Sequence, residues 1–155
     1  MENIEGLQLL DITDEDLAPI IKITKENMAQ IIKEVWELDW NKGFEERYMK
    51  CMLSSGVVKT AYNEDEFIGY CWFCERDDEN EVFINSIQLR KDYQGRGLGL
   101  RILRWIEHNA VNRKVQYLSL AVQESNPKAI GIYLRFGFRE VFRENGSILM
   151  RKKLF

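Results

Sequence analysis

The chain contains the run Gln94-Gly95-Arg96-Gly97-Leu98-Gly99, in which three of the five residues after Gln94 are glycine. An apolar, strand-like segment, Val82–Leu89, precedes this run, and a helix-like segment, Leu100–Asn112, follows it. A loop with so few side chains lets a ligand approach the backbone, and the helix that follows adds the positive end of its dipole. These features predict a seat for phosphate and hence a cofactor that carries pyrophosphate.

Two common glycine loops are excluded. A P-loop requires Lys and then Ser or Thr after its last glycine, whereas Gly99 is followed by Leu100. A dinucleotide loop requires Gly-x-Gly-x-x-Gly, but its third glycine would fall on Leu100 when the pattern starts at Gly95 and on Ile102 when it starts at Gly97. The remaining pattern, Gln-x-x-Gly-x-Gly between a strand and a helix, resembles the acyl-CoA pyrophosphate loop of the GNAT superfamily of N-acetyltransferases.

A second segment supports this resemblance. Residues from Asn126 to Phe138 fit the pattern Asn-x-x-Ala-x-x-x-Tyr-x-x-x-Gly-Phe of the same superfamily, and they follow another apolar segment. The resemblance extends from about Glu66 to the C-terminus and covers the earlier part only in outline. It implies an α/β, GNAT-like acyl-CoA N-acyltransferase fold, with a central mixed, mostly antiparallel sheet flanked by helices, in one domain of residues 1–155.

Hydrophobic periodicity and turn signals predict the order strand, helices, three strands, helix, strand, helix, hairpin. Strands are predicted at Leu7–Ile12, Val57–Tyr62, Phe67–Glu75, Val82–Leu89 and Val115–Val122. The first helical stretch is predicted after an N-cap at Thr13, with a break near Lys25–Asn27. Further helices are predicted at Phe44–Leu53, at Leu100–Asn112 and from Pro127 to a terminating Gly137. The closing hairpin joins Val141–Glu144 to Ile148–Leu154 through Asn145-Gly146.

Length and composition favour one globular domain. The chain has 155 residues, of which 45% are apolar, and this is enough for a hydrophobic core. The sequence lacks an uninterrupted apolar run near the ~20 residues that a membrane span needs. The N-terminal segment Met1–Glu5 is acidic and unlike a signal peptide. We therefore expect a cytoplasmic protein without a membrane partner.

The cysteines do not suggest a disulfide framework or a metal site. They are Cys51, Cys71 and Cys74, an odd number. On the predicted strand, residues three apart point to opposite faces, so the thiols of Cys71 and Cys74 diverge. The sequence has one histidine, His108, so it also offers few nitrogen ligands for a metal. We expect buried, inert thiols and no metal.

Charge is unevenly distributed along the chain. Residues 1–81 contain 8 basic and 20 acidic side chains, a balance of −12, whereas residues 82–155 contain 14 basic and 5 acidic ones, a balance of +9. The basic half carries both motifs, and the acidic half favours a cationic acceptor through long-range attraction. The alternative is that these are ordinary solvated faces. Nucleic acid is not expected as a partner, because aromatic residues do not alternate with basic ones.

The resemblance assigns residues to acetyl-CoA. The pantetheine arm would lie along the strand end formed by Ile87, Gln88 and Leu89, where a backbone N–H would also stabilise the thioester oxygen. The pyrophosphate would be wrapped by Gln94, Gly95, Arg96, Gly97, Leu98, Gly99 and Leu100. Asn126 either reaches the cofactor arm or simply caps the following helix.

Tyr133 matches the family tyrosine that protonates the departing CoA thiolate, although it also fits a half-buried aromatic on an amphipathic helix. The general base is not identified. A glutamate often precedes the motif asparagine by five residues in acetyltransferases of protein N-termini, but this position is Ala121. Other carboxylates, each more simply read as a surface charge, are Glu34, Glu37, Asp39, Glu81 and Glu124.

Acceptor specificity in the superfamily lies largely in the first helices. Residues offered by that region are Asn27, Met28, Trp36, Trp40, Phe44 and Tyr48, and Asn85 is a further candidate for acceptor contact. Trp36 and Trp40 would share a face of a continuous helix, where they wall an acceptor pocket or pack the helix onto the sheet. Val35–Trp40 also resembles a segment of a bacterial and archaeal subgroup whose substrates are not established.

Three functions remain open from the sequence. The first is an N-acetyltransferase that moves an acetyl group from acetyl-CoA to a small primary amine by direct attack in a ternary complex. The second is a protein N-terminal or lysine acetyltransferase, and the third is a non-catalytic acyl-CoA-binding sensor module. A homodimer is an expectation from the resemblance alone.

Overall fold

The computed structural model describes residues 2–4 and 6–155, so the expectation on Met1–Glu5 lies partly outside the described residues. The strands are β1 (Glu2–Ile4), β2 (Leu7–Asp11), β3 (Val57–Asn63), β4 (Glu66–Arg76), β5 (Glu81–Leu89), β6 (Tyr117–Gln123), β7 (Arg139–Glu144) and β8 (Ser147–Lys153). The helices are α1 (Leu17–Trp36), α2 (Lys42–Ser54), α3 (Leu98–Asn112) and α4 (Pro127–Phe136).

The sheet is mixed and mostly antiparallel, as predicted, and helices flank it. Strand β2 pairs antiparallel with β1 and β3, and β8 pairs antiparallel with β6 and β7. Strands β5 and β6 are parallel, in a register that runs from Glu81↔Tyr117 to Ile84↔Leu120. The predicted fold class is therefore confirmed.

The chain forms two compact units, and β4, β5 and α3 each contribute residues to both. The first unit comprises the residues up to Trp72 together with Ser86–Trp105. Its core joins α1, α2, β3 and β4 through Ile20, Ile23, Met52, Val58, Tyr70 and Trp72. The residues that α1 contributes to this core, Ile20 and Ile23, are three apart and so lie on one face of the helix.

The second unit comprises Phe73–Asn85 and Ile106–Phe155. Its most buried side chains come from α3, β5, β6, β8 and the segment after α4, and include Ile106, Ala110, Val82, Ile84, Leu118, Leu120, Phe138, Ile148 and Met150. The expectation of one domain over residues 1–155 stays a prediction.

Helix α1 is continuous, and the predicted break near Lys25–Asn27 is wrong. Of the residues in the predicted break, Asn27 has a partner that the local sequence does not reveal, because its side chain bonds to β5. Just before it, Thr24 Oγ1 donates to the carbonyl of Ile20 within the helix at 2.7 Å. Neither polar side chain interrupts the helix.

Several other boundaries differ from prediction by two residues. Helix α2 begins at Lys42 and not at Phe44, and strand β7 begins at Arg139 and not at Val141. Helix α3 begins at Leu98 and not at Leu100. Strand β6 begins at Tyr117 and not at Val115, because Val115 closes α3: its N–H bonds to Ala110 O at 3.0 Å, while Lys114 adopts a left-handed φ of 59°. This is the Schellman arrangement of a helix end.

The predicted closing hairpin is confirmed. Its turn residues, Asn145 and Gly146, have φ values of 51° and 79°. Because both φ values are positive, the turn is of type I′, which matches the twist of the two flanking strands.

Candidate active site

The glycine loop in the first unit adopts a conformation that only glycine takes readily. Gly95 and Gly97 have φ values of +77° and +79°, and a Cβ added at either would meet nothing within 4 Å. Glycine is therefore required by the backbone angle and not by crowding. The space over the loop is open to a ligand.

Helix α3 starts directly from this loop. Its first intrahelical bond joins the N–H of Arg101 to the Gly97 carbonyl at 3.2 Å. The N–H groups of the first turn, Leu98 to Leu100, consequently have no acceptor within the helix. They lie at the N-terminal end of a 15-residue helix, which is an end that can bind an anion. Because the Leu98 side chain is buried, any cofactor contact from this residue would use its backbone.

The two long side chains of the loop hold the loop itself. Gln94 Nε2 donates to the carbonyl of Leu89 at 2.9 Å. The Arg96 guanidinium lies over the Tyr93 ring, 4.9 Å from its centroid, and that of Arg90 lies 5.6 Å from the same centroid. Side-chain contact of Gln94 and Arg96 with a cofactor stays a prediction.

The predicted pantetheine strand ends in close contact with β4. A Cβ at Gly69 would overlap the carbonyl oxygen of Gln88, so β4 has no room for a side chain at this point. Arg90 N–H donates to Ile68 O at 2.9 Å, just beyond the strand. Leu89 is buried, whereas Ile87 and Gln88 are half-buried. The assignment of these three residues to the pantetheine arm stays a prediction.

Sequence reasoning missed the role of Asn27, which it placed only in the acceptor region. Asn27 Nδ2 donates to Gln88 Oε1 and to the Leu89 carbonyl, each at 3.0 Å. Gln88 Nε2 in turn donates to Ser86 Oγ at 3.0 Å. Asn27 and Leu89 are 62 residues apart, and no local pattern signals such a contact.

A cluster of buried hydroxyls lies in the same unit. The hydroxyl of Tyr70 is 2.6 Å from Thr24 Oγ1 and 2.7 Å from the hydroxyl of Tyr48. Burial raises the pKa of both phenols, that of Tyr70 well above its ordinary value. Both are therefore neutral at physiological pH and act as hydrogen-bonding groups.

In the second unit, Asn126 caps α4. Its side-chain oxygen accepts from Ala129 N–H at 3.2 Å, and Pro127 occupies the first turn. The capping interpretation is confirmed, whereas contact of Asn126 with the cofactor stays a prediction.

Tyr133 lies on α4, where its ring packs edge-on against Phe138 with a centroid distance of 5.8 Å. Burial raises the pKa of the Tyr133 phenol. A phenol with a raised pKa keeps its proton at neutral pH, which is the state that a general acid needs. Its assignment to the thiolate stays a prediction.

Glu81 is not the surface charge that the sequence suggests. Its side chain is 2% exposed and accepts from Ser119 Oγ, from Arg151 at 3.1 Å and from Arg76 at 3.4 Å. A carboxylate so enclosed and so fully bonded is poorly placed to receive a proton from an amine.

The other carboxylates that the sequence suggested have surface partners where contacts are described. Asp39 pairs with Lys33 at 2.7 Å, and Glu124 pairs with Arg143 at 3.2 Å. Glu34 accepts from Gln30. The residue where a family glutamate often lies, Ala121, is exposed on β6.

The two tryptophans of the acceptor region do not share a helix. Trp36 is the last residue of α1, because Glu37 takes a left-handed φ of 55°. Trp36 is 44% exposed, which does not favour the alternative in which it packs the helix onto the sheet. Trp40 lies in the connection to α2, and its Nε1 donates to Glu45.

Trp40 begins a row of aromatic rings in the first unit. Successive centroids from Trp40 to Phe44, Tyr48 and Trp72 are 4.8, 6.4 and 5.6 Å apart. The row runs from the α1–α2 connection into the core. Asn85, the further candidate for acceptor contact, is exposed on β5 in the other unit.

The cysteines correct one expectation. Cys71 is buried, but Cys74 is only partly buried and Cys51 is exposed. Among residues 2–4 and 6–155, no three His, Cys, Asp or Glu side chains are grouped so as to hold a metal. Within the same part of the chain, none of the helices has the length and apolar character of a membrane span. The expected cytoplasmic location stays a prediction.

A separate cleft of about 760 Å³ lies in the first unit. It is bordered by one face of α1, by the start of β4 and by the segment after β5, including Ile23, Phe67, Arg90 and Asp92. None of the residues that the sequence assigns to cofactor or acceptor is among those that line it.

Comparison with known proteins gives the family. Residues 25–138 match the family described as "Acetyltransferase (GNAT) family". A probable spermine N(1)-acetyltransferase of Bacillus subtilis subsp. natto (strain BEST195) is 35% identical over 102 residues, which cover 60% of this chain and 67% of that protein. The thialysine N-epsilon-acetyltransferase of Mus musculus is 26% identical over 98 residues, covering 63% and 55% respectively.

A solved structure shares the fold. The crystal structure of PaiA N-acetyltransferase from Thermoplasma acidophilum, in complex with coenzyme A, superposes with a TM-score of 0.72 and 16% identity, over 95% of this chain and 98% of that one. The family match covers well over half of the sequence and includes both motifs, the glycine loop and the Asn126–Phe138 segment. The chain therefore belongs to the GNAT family of acetyltransferases.

Proposed function

We propose that this chain transfers an acetyl group from acetyl-CoA to a primary amine of a small polycation, with polyamines as the first substrates to test. Its family makes it an acetyl-CoA-dependent N-acetyltransferase. The observation that carries the cofactor half of the proposal is the loop of two left-handed glycines that opens directly into α3. That arrangement offers backbone N–H groups to a pyrophosphate.

Two observations support a small cationic acceptor. The relatives named above are described as acting on spermine and on thialysine, and both substrates carry amines. Residues 1–81 of this chain have a charge balance of −12, which attracts a polycation over distances comparable with the Debye length.

The proposed reaction needs few groups. The neutral amine attacks the thioester carbonyl carbon, the C–S bond breaks as the C–N bond forms, and the thiolate takes a proton. We assign that proton to Tyr133, by the resemblance and because its phenol is protonated at neutral pH. Backbone N–H groups of Ile87–Leu89 would stabilise the carbonyl oxygen. The ammonium proton leaves to water, and water returns a proton to the Tyr133 phenolate, which restores the phenol.

The first test is calorimetric titration of the purified protein with acetyl-CoA, with ATP and NADH as controls. Saturable binding of acetyl-CoA alone supports the cofactor assignment. Absence of binding, or tighter binding of ATP or NADH, would overturn it. An acceptor panel with thiol-release detection follows, comparing spermine, spermidine and thialysine with peptides that offer N-terminal or lysine amines.

The panel separates the alternatives. Turnover restricted to peptides would support the protein acetyltransferase reading, for which Ala121 is unfavourable in its N-terminal form. Binding of acetyl-CoA without turnover on any amine would support a sensor module.

Tyr133→Phe tests the acid. We expect kcat to fall by roughly 100-fold or more, as for loss of a general acid, while the Kd for acetyl-CoA changes little. An unchanged kcat would remove Tyr133 from the mechanism.

A further inference from the structure

Three elements of the first unit meet at one carbonyl oxygen. The Leu89 carbonyl, at the end of β5, accepts from Asn27 Nδ2 at 3.0 Å and from Gln94 Nε2 at 2.9 Å. Asn27 lies on α1, and Gln94 is the first residue of the glycine loop. A carbonyl oxygen has two lone pairs, so these two amides saturate it.

The orientation of the Asn27 amide follows from its partners. A backbone carbonyl can only accept, so the nitrogen of Asn27 must face Leu89. The second hydrogen of that nitrogen is directed to Gln88 Oε1, and Gln88 is held at its other end by Ser86. Asn27 thus satisfies two acceptors on consecutive residues of the strand end.

The glycine loop benefits from an external anchor. Glycine loses more backbone freedom on ordering than any other residue, and Gly95 and Gly97 provide no side chains to hold the loop. Its far end is fixed by α3, whereas its near end is fixed by the bond from Gln94 to the Leu89 carbonyl. A loop ordered before binding avoids an entropic cost during binding.

We propose that Asn27 is a positioning residue for cofactor binding: through the Leu89 carbonyl and Gln88 it holds the strand end and the entry of the glycine loop in the binding conformation. The inference rests on the proposed function, because it takes this loop as the acetyl-CoA site. Asn27 itself need not touch the cofactor. Helix α1 thereby contributes to cofactor affinity.

The experiment measures the Kd for acetyl-CoA by calorimetry in Asn27→Ala and Asn27→Asp. Loss of two ordinary hydrogen bonds predicts a roughly tenfold weaker Kd. Steady-state kinetics should show a similar rise in the KM for acetyl-CoA, with kcat and the acceptor KM nearly unchanged. Asp keeps the shape of Asn. Gln88 can turn its side-chain amide so that it donates to the new carboxylate, but the Leu89 carbonyl can only accept, so the bond to Leu89 is lost in Asn27→Asp.

Ile20→Val is the matched control. Ile20 lies on the same helix and packs in the core of the first unit, but its apolar side chain takes no part in the hydrogen bonds that join Asn27, Gln88 and Ser86. Loss of one buried methylene should lower the thermal midpoint while leaving the Kd for acetyl-CoA unchanged. An equal loss of affinity in Ile20→Val would mean that helix docking in general matters, and would overturn the assignment to Asn27.

The outcomes are distinguishable from failure of the proposed function. If the wild-type protein does not bind acetyl-CoA, the proposed function fails first. If it binds and both Asn27 variants bind equally well, the inference is wrong. If Asn27→Ala does not fold, the isosteric Asn27→Asp decides alone, and an unchanged Kd in it refutes the positioning role.

Discussion

Replacing Arg151 by Met should destabilise the protein more than replacing its ion-pair partner Glu81 by Gln. The Glu81 side chain is 2% exposed, whereas those of Arg151 and Arg76 are 30% and 43% exposed. The two changes therefore leave different charges behind. Loss of Arg151 leaves a buried carboxylate, and loss of the carboxylate leaves two guanidinium groups that water can reach.

The expected magnitudes follow from that asymmetry. In Glu81→Gln, the amide oxygen still accepts from Ser119, and the arginines become hydrated, so the free energy of unfolding should fall by about 1 kcal/mol. In Arg151→Met, the Glu81 carboxylate keeps only Ser119 and the longer contact to Arg76, and the contact of the Arg151 guanidinium with the Tyr117 ring is also lost. Stranding a buried charge costs about 3 kcal/mol.

The assay is urea unfolding followed by circular dichroism, with the m-value used to check that the unfolded states are comparable. The double variant should be less destabilised than the sum of the two single variants, because it strands no buried charge. Equal costs for the two single variants, or a larger cost for Glu81→Gln, would refute the reasoning. Glu81→Gln should also keep its kcat per folded molecule, since Glu81 is not proposed as the base.

Three further predictions concern single residues. Gly97 has a φ of +79°, so Gly97→Ala should lower the free energy of unfolding by about 1 kcal/mol and weaken acetyl-CoA binding. Urea unfolding and calorimetry would measure the two effects. An unchanged Kd for acetyl-CoA would show that this residue does not contribute to cofactor binding. Tyr62 donates to Asp16, and this hydrogen bond is the main cause that raises the pKa of the phenol from 10.0 to about 12. Its contribution to the free energy of unfolding should be complete below about pH 10 and lost as the pH rises through 12. In Tyr62→Phe, the urea midpoint should therefore fall less steeply over this pH range. Asn41→Ala removes the cap that accepts from Phe44 N–H at 2.9 Å, and should cost about 1 kcal/mol; a thermal midpoint equal to that of the wild type would contradict it.

Local features were predictable because a few neighbouring residues determine them. The cap at Asn126 and the type I′ turn at Asn145-Gly146 each follow from backbone preferences over two to four residues. The strand, loop and helix around the glycine run were located in this way, and both motifs could be compared with a known family.

Contacts between distant segments were not predictable in the same way. The predicted break at Lys25–Asn27 is wrong, and the local sequence does not reveal that the partner of Asn27, the Leu89 carbonyl, lies on another element. Glu81 was interpreted as a surface charge because no pattern in the neighbouring sequence indicates its contact with Arg151, which is 70 residues away.

The sequence by itself determined the family, the glycine loop and the order of the elements, since these depend on short-range backbone preferences and on the period of apolar residues. Only the tertiary structure decided which polar side chains are buried and what they bond to. A buried donor or acceptor is stable only when a partner lies within hydrogen-bonding distance, and chain folding, not sequence proximity, brings those partners together.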